Sequence, residues 1–414
     1  MRESVAAGPP TESLFRSRSA ALIAALFVAS IATGAILISV PLKLAQLRAT
    51  PNEIGLTLAM FGLGMFIFEA LWGLVADRFG YRAPLIVSAI LYSICIALLA
   101  RTETVPVIAA AYLLAAGMMV SAGPIGRSYV GTSLPVGLRA TGLAFLSAAW
   151  VIGGAIGSGV GGLLIDRMTI ASVLTGSAVL PVLSAAMIAL IFRGYSDSPR
   201  QSRIREEESR SPAAHSGGSV ARVLVVTASM IFLIHLGAGG ETALLPLLVT
   251  SHLHLSAATA GSALFAVGLM EGLLLVPGGW ASDRWGRRPT MIAGGILLVT
   301  GFVVYSLAGG IAAVFVGAAL RASGMSLTWP AATAWISEAM PRRRHALMMG
   351  LFGEFENAGI TAGPVLGGLA WSLAGIQSAF LGYAAAAMLA TAIAVVMVAR
   401  PTTAAEEAIN VTKR

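Results

Sequence analysis

The chain repeats itself at one fixed offset. The stretch GLVADRFGYR that begins at Gly73 returns as GWASDRWGRR from Gly279, so that Asp77 and Asp283 lie 206 residues apart. A second, unrelated pattern repeats at the same offset: Gly153, Gly157 and Gly161 reappear as Gly359, Gly363 and Gly367. Two motifs that share one offset, close to half of the 414 residues, predict that one structural unit has been duplicated.

The composition excludes a soluble domain. Hydrophobic residues make up 57% of the chain and charged residues 11%, whereas about 25% of a typical soluble domain is charged. So few charges could not cover the surface of a soluble protein of this length. We therefore predict a polytopic membrane protein.

Apolar runs divide the chain into two sets of six. Twelve runs are long enough to span a bilayer: 19–42, 54–76, 83–100, 104–127, 140–165, 170–192, 222–249, 257–280, 289–309, 311–336, 346–373 and 376–398. We predict an all-α fold with these domains: an N-terminus at 1–18, a six-helix bundle at 19–193, a polar linker at 194–220, a second bundle at 221–399 and a tail at 400–414. Six spans per half, an even number, relate the halves as a parallel repeat.

The basic residues indicate the orientation. Of 27 Lys and Arg, 22 fall in the termini, the linker and the loops on the same side, and four fall on the other side. This asymmetry predicts that both termini lie in the cytoplasm and that the protein is a multi-pass protein of the cell membrane. The basic charge thus needs no nucleic acid to explain it. The single cysteine, Cys95, excludes an intrachain disulfide.

Twelve spans in two sixes, with G-x-x-x-D-R-x-G-x-R after spans two and eight, resemble the major facilitator superfamily of secondary transporters. The resemblance covers nearly the whole chain. It implies two bundles that rock against each other, with a small-molecule substrate, protons and the lipid bilayer as partners. We expect a functional monomer.

The loop motif has a physical logic of its own. Its members are Gly73, Asp77, Arg78, Gly80 and Arg82 in the first copy and Gly279, Asp283, Arg284, Gly286, Arg287 and Arg288 in the second. Gly80 and Gly286 permit a tight turn. In the family the acidic and basic residues latch the two halves on the cytoplasmic side. The alternative is that the charges only set the topology.

The glycine motif places small residues on one helix face, where another helix can approach closely. In the family the full form, G-x-x-x-G-P-x-x-G-G, belongs in span five and marks antiporters. Here span eleven has it, with Pro364 after Gly363, whereas span five has Ser158 at the proline position. This departure weakens the inference to antiport and leaves a packing seam as an equal alternative.

Charged residues inside spans are expensive and usually functional. Those in this chain are Glu69, His235, Glu241, Glu271, Arg321, Glu354 and Glu356. A carboxylate desolvated enough to titrate near neutral pH can carry a proton. We therefore take Glu354, Glu271 and Glu69 as candidates for proton coupling.

Helical phase distinguishes the two acids of span eleven. Glu354, Asn357 and Thr361 share one face and form a polar stripe suited to a cavity, whereas Glu356 lies on the glycine seam and is expected to contact a neighbouring helix. Arg321 either pairs with a buried Glu of span eight or span eleven, or binds substrate. His235, also a candidate for the substrate cavity, either relays protons or is only hydrogen-bonded.

The span interiors suggest an apolar substrate. They contain few amides, which a sugar site would need, but offer Met and aromatic side chains, of which Trp150 and Trp329 are the cavity candidates. No metal or nucleophile constellation and no nucleotide-binding loop is present, so we expect no cofactor and no enzyme activity.

The expected function is proton-coupled efflux of lipophilic or amphipathic compounds, resembling the twelve-helix drug–proton antiporters. The alternative within transport is a carrier of a small organic anion with Arg321 as its anchor. Outside transport, a receptor on this fold would have no need of titrating acids.

Overall fold

The part of the chain that the structure describes forms a bundle of twelve long helices. The computed structural model describes residues 18–194, 217–339 and 345–397, in which no strand occurs. In chain order the helices are α1 (Arg18–Gln46), α2 (Pro51–Phe79), α3 (Arg82–Arg101), α4 (Val105–Ser133), α5 (Val136–Ile165), α6 (Ile170–Ile191), α7 (Gly217–Leu247), α8 (Ala257–Trp285), α9 (Arg287–Ser306), α10 (Ile311–Ala339), α11 (His345–Ala374) and α12 (Ile376–Met397). The predicted N-terminus, the tail and most of the predicted linker lie outside the described residues.

The helices follow the predicted spans, with local differences. α4 is interrupted between Met119 and Ala122, and it continues to Ser133, six residues beyond the predicted end of that span. Among the described helices, eleven are long and apolar enough to cross a membrane. The exception is α11, whose acids, amide and glycines reduce its apolar character. The all-α fold class is confirmed.

Each half has the same internal packing. α1 packs on α5 as α7 packs on α11, α2 on α4 as α8 on α10, and α3 on α6 as α9 on α12. The glycines of α5 and α11 make the first of these crossings close. A Cβ on Gly157 would overlap the carbonyl oxygen of Ile31, and one on Gly363 would overlap that of Leu236. Both glycine motifs are therefore packing seams within their own halves.

The two ends of the bundle differ in charge. The basic face is the end that carries the α2–α3 and α8–α9 turns, where the motif arginines cluster, and the opposite face is the other end. At both turns a glycine has positive φ, 76° at Gly80 and 92° at Gly286, as the tight-turn interpretation requires. Arg287 donates to Asp283 at 2.5 Å and to Glu338 of α10 at 2.6 Å, all within one half.

The halves meet at the opposite face through glycine pairs. A Cβ on Gly162 of α5 would lie 2.8 Å from the Cα of Gly261 on α8, and a Cβ on Gly55 of α2 would lie 3.0 Å from the Cα of Gly368 on α11. These two contacts occupy equivalent positions of the repeat. Close backbone approach therefore joins the halves on both sides.

The halves diverge towards the basic face. Gly55, Gly62 and Gly73 lie on one face of α2, since steps of seven and eleven residues return to nearly the same direction. Gly55 and Gly62 touch α11, but no atom of the described residues lies within 4 Å of a Cβ on Gly73. The same holds for the equivalent Gly279 of α8. An opening between the halves thus widens towards the basic face.

One polar contact reinforces the closed end. Asp166, at the end of α5, accepts hydrogen bonds from the N–H groups of Ala257 and Ala258 at 3.0 Å each. These are the first residues of α8, so a carboxylate from one half caps a helix of the other. The favourable end of the helix dipole adds to the attraction.

We predict that Asp166→Ala weakens closure at the opposite face. Spin labels at Glu103→Cys and Leu307→Cys, in a Cys95→Ser background, would report the distance between the halves there by pulsed electron resonance. Removing a cap costs about 1 kcal/mol, so the population with the longer distance should rise about fivefold relative to the shorter one.

The matched control is Glu53→Gln. Glu53 caps α2 at the equivalent edge, but within its own half, by accepting a hydrogen bond from the Thr50 N–H at 2.8 Å. This variant should leave the distance distribution unchanged. An unchanged distribution in Asp166→Ala would contradict the cross-half cap.

Candidate functional site

The membrane-embedded charges form two clusters. The arginine cluster consists of Arg321, Glu241, Glu271 and Tyr305, all in the second half. The α11 acid cluster consists of Glu354, Glu356 and Asn357 together with Glu69 and Arg127 of the first half, and it lies where α2 and α11 part.

The arginine cluster is a buried ion-pair network. Arg321 of α10 is 4% exposed; its Nε contacts Glu241 of α7, and its Nη1 donates to Glu271 of α8. Tyr305 donates to Glu241 at 2.9 Å. Two carboxylates thus compensate the charge of one guanidinium. A buried guanidinium without such partners would be strongly destabilising. This arrangement corresponds to the buried-partner alternative for Arg321. Glu271 of α8 is an expected partner and is 23% exposed, whereas the second partner comes from α7 and not from α11.

Glu69 links the two halves. It accepts hydrogen bonds from Arg127 of α4 at 2.5 Å and from Asn357 of α11 at 2.9 Å. Asn357 is buried, and its backbone carbonyl accepts from Thr361, which approaches Gly62 of α2. Asn357 and Thr361 therefore belong to the α2–α11 contact more than to a free cavity wall.

The two acids of α11 have no arginine partner among the described residues. Glu354 has a buried Oε2 without a hydrogen-bond partner there. Glu356 accepts a hydrogen bond from the indole Nε1 of Trp329 and lies 3.9 Å from Nε2 of His235. Glu356 thus makes the interhelical contacts expected of it, to α7 and α10.

Trp150 lies on the other side of the opening. It packs against the buried hydrophobic cluster of the first half and lines a cleft with Leu26, Met118 and Ser88. The repeat offset of 206 makes Trp150 the equivalent of Glu356. One half therefore places an indole where the other places a carboxylate.

Arg127 is a residue of the site that the sequence did not predict. The predicted span ended at this residue, which assigned its charge to the loops, whereas α4 continues and the side chain, 57% exposed, turns to Glu69. The feature that could have predicted it is the stretch from Ser128 to Ser133. This stretch contains no proline, so the helix can continue until Pro135.

The described residues contain no group of three or more His, Cys, Asp or Glu that could hold a metal ion. The site consists instead of carboxylates, two guanidinium groups, one imidazole and indoles. Such a set can bind and release protons and cations in a low-dielectric setting.

A family model described as Major Facilitator Superfamily matches residues 22–247 and 227–413. A di-/tripeptide transporter of Lactobacillus helveticus is 33% identical over 106 residues, 24% of this chain and 21% of the relative. An uncharacterised MFS-type transporter of Mycobacterium tuberculosis is 32% identical over 115 residues, 26% of this chain and 27% of the relative. The chain thus matches only about a quarter of the length of these curated relatives.

Solved structures share the fold at low identity. A bacterial homologue of the human lysosomal transporter Spinster, inward-facing and occupied, has a TM-score of 0.74 at 13% identity and covers 94% of this chain and 97% of its own. The nucleoside transporter NupG has a TM-score of 0.71 at 15% identity, with 93% and 100% covered. The human organic anion transporter MFSD10 has a TM-score of 0.64 at 17% identity, with 94% and 100% covered.

We predict that Arg321→Ala destabilises the protein by about 3–5 kcal/mol, because it leaves two membrane-embedded carboxylates unpaired. Unfolding of the purified protein in detergent would measure the loss. Arg127→Ala, which removes an exposed guanidinium, should cost about 1 kcal/mol or less. Equal losses in the two variants would contradict the structural role of the arginine cluster.

Proposed function

Because the chain belongs to the major facilitator superfamily, we propose that it is a proton-coupled secondary transporter that works by alternating access. It exports lipophilic or amphipathic small molecules, cationic ones above all, in exchange for protons. The transporter class is what the family and the fold have in common; the substrate class and the coupling are our inference from the site.

One observation carries the proposal: the embedded charges do not balance. Five carboxylates (Glu69, Glu241, Glu271, Glu354 and Glu356) face two guanidinium groups (Arg127 and Arg321) in the two clusters. Uncompensated carboxylates are expensive inside a membrane. They are neutral when protonated or when a cation lies beside them, so a proton and a cationic substrate compete for the same groups.

The uncompensated acids lie where a substrate would pass. Glu354 and Glu356 are on α11, at the level where the halves part, and Trp329 contacts the second of them. Phe145 of α5 and Phe355 of α11 are exposed aromatic side chains. An indole face and a carboxylate together suit a hydrophobic cation.

An organic anion is the second candidate, and it needs a different anchor from the one expected. Arg321 is buried between two carboxylates, whereas Arg127 is 57% exposed at the opening. Arg127 would therefore release Glu69 and bind a substrate carboxylate in its place.

We also propose an orientation. By the positive-inside rule, the basic face and both termini belong on the cytoplasmic side of the membrane. The opening of this structure then faces the cytoplasm, from which an exporter would load its substrate. We propose that the monomer, with its own two halves, is the functional unit.

We predict that a lipophilic cation is transported and a hexose is not. Proteoliposomes with an imposed pH gradient should accumulate a fluorescent aromatic cation, and neutral or cationic lipophilic compounds should compete with it. Saturable uptake of a hexose that other hexoses block would contradict the proposed substrate class. Transport of an organic anion that depends on Arg127 would establish the second candidate instead.

We predict that Glu354→Gln uncouples transport from the proton gradient. The variant keeps the size and the polarity of the side chain but cannot titrate, so it should exchange substrate across the membrane without concentrating it. Glu53→Gln, in a helix cap at the opposite face, is the control and should transport normally. Full pH-driven transport in Glu354→Gln, with loss in Glu271→Gln or Glu69→Gln, would assign the coupling to another acid.

A further inference from the structure

Glu356 and His235 face each other across the α7–α11 crossing. His235 is 6% exposed, and its Nε2 lies 3.9 Å from Oε1 of Glu356. The indole Nε1–H of Trp329, on α10, donates to the same carboxylate oxygen. The pair thus lies among three helices of the second half.

The other nitrogen of the imidazole is already engaged. Nδ1 of His235 lies 3.0 Å from the backbone carbonyl oxygen of Ile231, one helical turn earlier. A carbonyl oxygen can only accept, so Nδ1 carries a hydrogen in the neutral ring as well as in the charged one. In the neutral ring Nε2 is therefore a bare acceptor, directed at a carboxylate oxygen that is also an acceptor.

At 3.9 Å the two atoms are beyond direct hydrogen-bonding distance, but two acceptors that face each other in a largely buried place are more stable when one of them carries a proton. Either Glu356 is a carboxylic acid that can donate towards Nε2, or His235 is an imidazolium beside a carboxylate. Both descriptions contain one more proton than the neutral imidazole and the ionised carboxylate together. His235 is buried and the Glu356 side chain is 22% exposed, so the form without that proton leaves an ionised carboxylate largely removed from water, which is costly.

No nearby guanidinium takes the place of the proton. From α4, Arg127 is bound by Glu69 of α2, and from α10, Arg321 is bound by Glu241 of α7 and Glu271 of α8. The remaining charged group on α11 itself is Glu354, another acid. Every described cation around the pair therefore already has a carboxylate.

The repeat provides an internal comparison. α1 and α7 correspond at an offset of 205 residues, since Gly34 and Pro41 return as Gly239 and Pro246. The equivalent crossing of the first half therefore places Ser30 where α7 has His235, and Trp150 where α11 has Glu356. Ser30 donates to the carbonyl oxygen of Phe27 at 2.8 Å, so it too bonds its own helix. The same backbone frame is thus filled with groups that do not titrate near neutral pH in one half, and with an acid and an imidazole in the other.

We infer that Glu356 and His235 form a proton-binding site that holds one shared proton, with Trp329 orienting the carboxyl group. The site is distinct from Glu354, two residues away on another face of α11. Its part in coupling depends on the proposed function; its occupancy by a proton does not.

Nitrogen NMR of the protein labelled with ¹⁵N-histidine tests the site without any substrate. The chain has five histidines, so His235→Asn identifies the resonances of this ring. We expect Nδ1 to remain protonated at every pH at which the protein is folded. Glu356→Gln should shift the Nε2 resonance, whereas the matched variant Glu354→Gln should not.

Two results would overturn the inference. One is a neutral ring with its hydrogen on Nε2, because that ring would donate to an ionised carboxylate and need no shared proton. The other is a shift of Nε2 in Glu354→Gln as large as that in Glu356→Gln. Since neither requires transport, they are separable from a failure of the proposed function.

Transport then shows whether the proton moves. In proteoliposomes, Glu356→Gln should lose accumulation driven by a pH gradient and keep exchange, and His235→Gln should shift the pH at which transport is half-maximal. Unaltered pH-driven transport in both variants would remove the site from the coupling, even with the NMR result intact.

Discussion

The contact on which this structure depends is that of backbone against backbone at the glycine seams. α5 lies directly on α1, and α11 on α7, because Gly157 and Gly363 leave no side chain between the helices. A methyl group at either position would meet a carbonyl oxygen, so the crossing cannot exist with larger residues. The close approach brings His235 within 3.9 Å of Glu356 and Ser30 onto the equivalent part of α5.

The duplication supplies one frame twice, but the halves use it for different chemistry. The second half contains the buried network of Arg321, Glu241 and Glu271 as well as the His235–Glu356 contact. The first half has apolar or hydroxyl groups at most equivalent positions and contributes Glu69 and Arg127 at the border between the halves. The first half is therefore mainly an apolar wall with an ionic edge at Glu69 and Arg127, and the second half contains most of the embedded acids.

Much of the fold could be predicted from the sequence because it depends on local patterns. Apolar length gave the helices, the offset of 206 residues gave the two halves, and the glycine spacing gave the seams. The loop glycines were predictable for the same reason, since positive φ at Gly80 and Gly286 is a property of the turn alone.

The site was less predictable because it depends on which side chains meet. Helical phase assigned Asn357 to a cavity face, but the nearest occupant of that face is Glu69 from another helix, 288 residues away in sequence. To predict which acids pair with Arg321, one would need to know how deep in the membrane the relevant residues of α7, α8 and α10 lie. A span boundary misplaced by six residues was enough to hide Arg127.

The glycine pairs that join the halves also have a consequence for entropy. Gly55 against Gly368 and Gly162 against Gly261 are contacts without side chains. Glycine has no rotamers to freeze, so separating the halves at these points releases almost no side-chain entropy, and rejoining them costs almost none. At these points the polar contacts, such as that of Asp166, therefore weigh more in the balance between joined and separated halves. Gaining or losing one such polar contact, worth about 1 kcal/mol, then shifts the balance about fivefold.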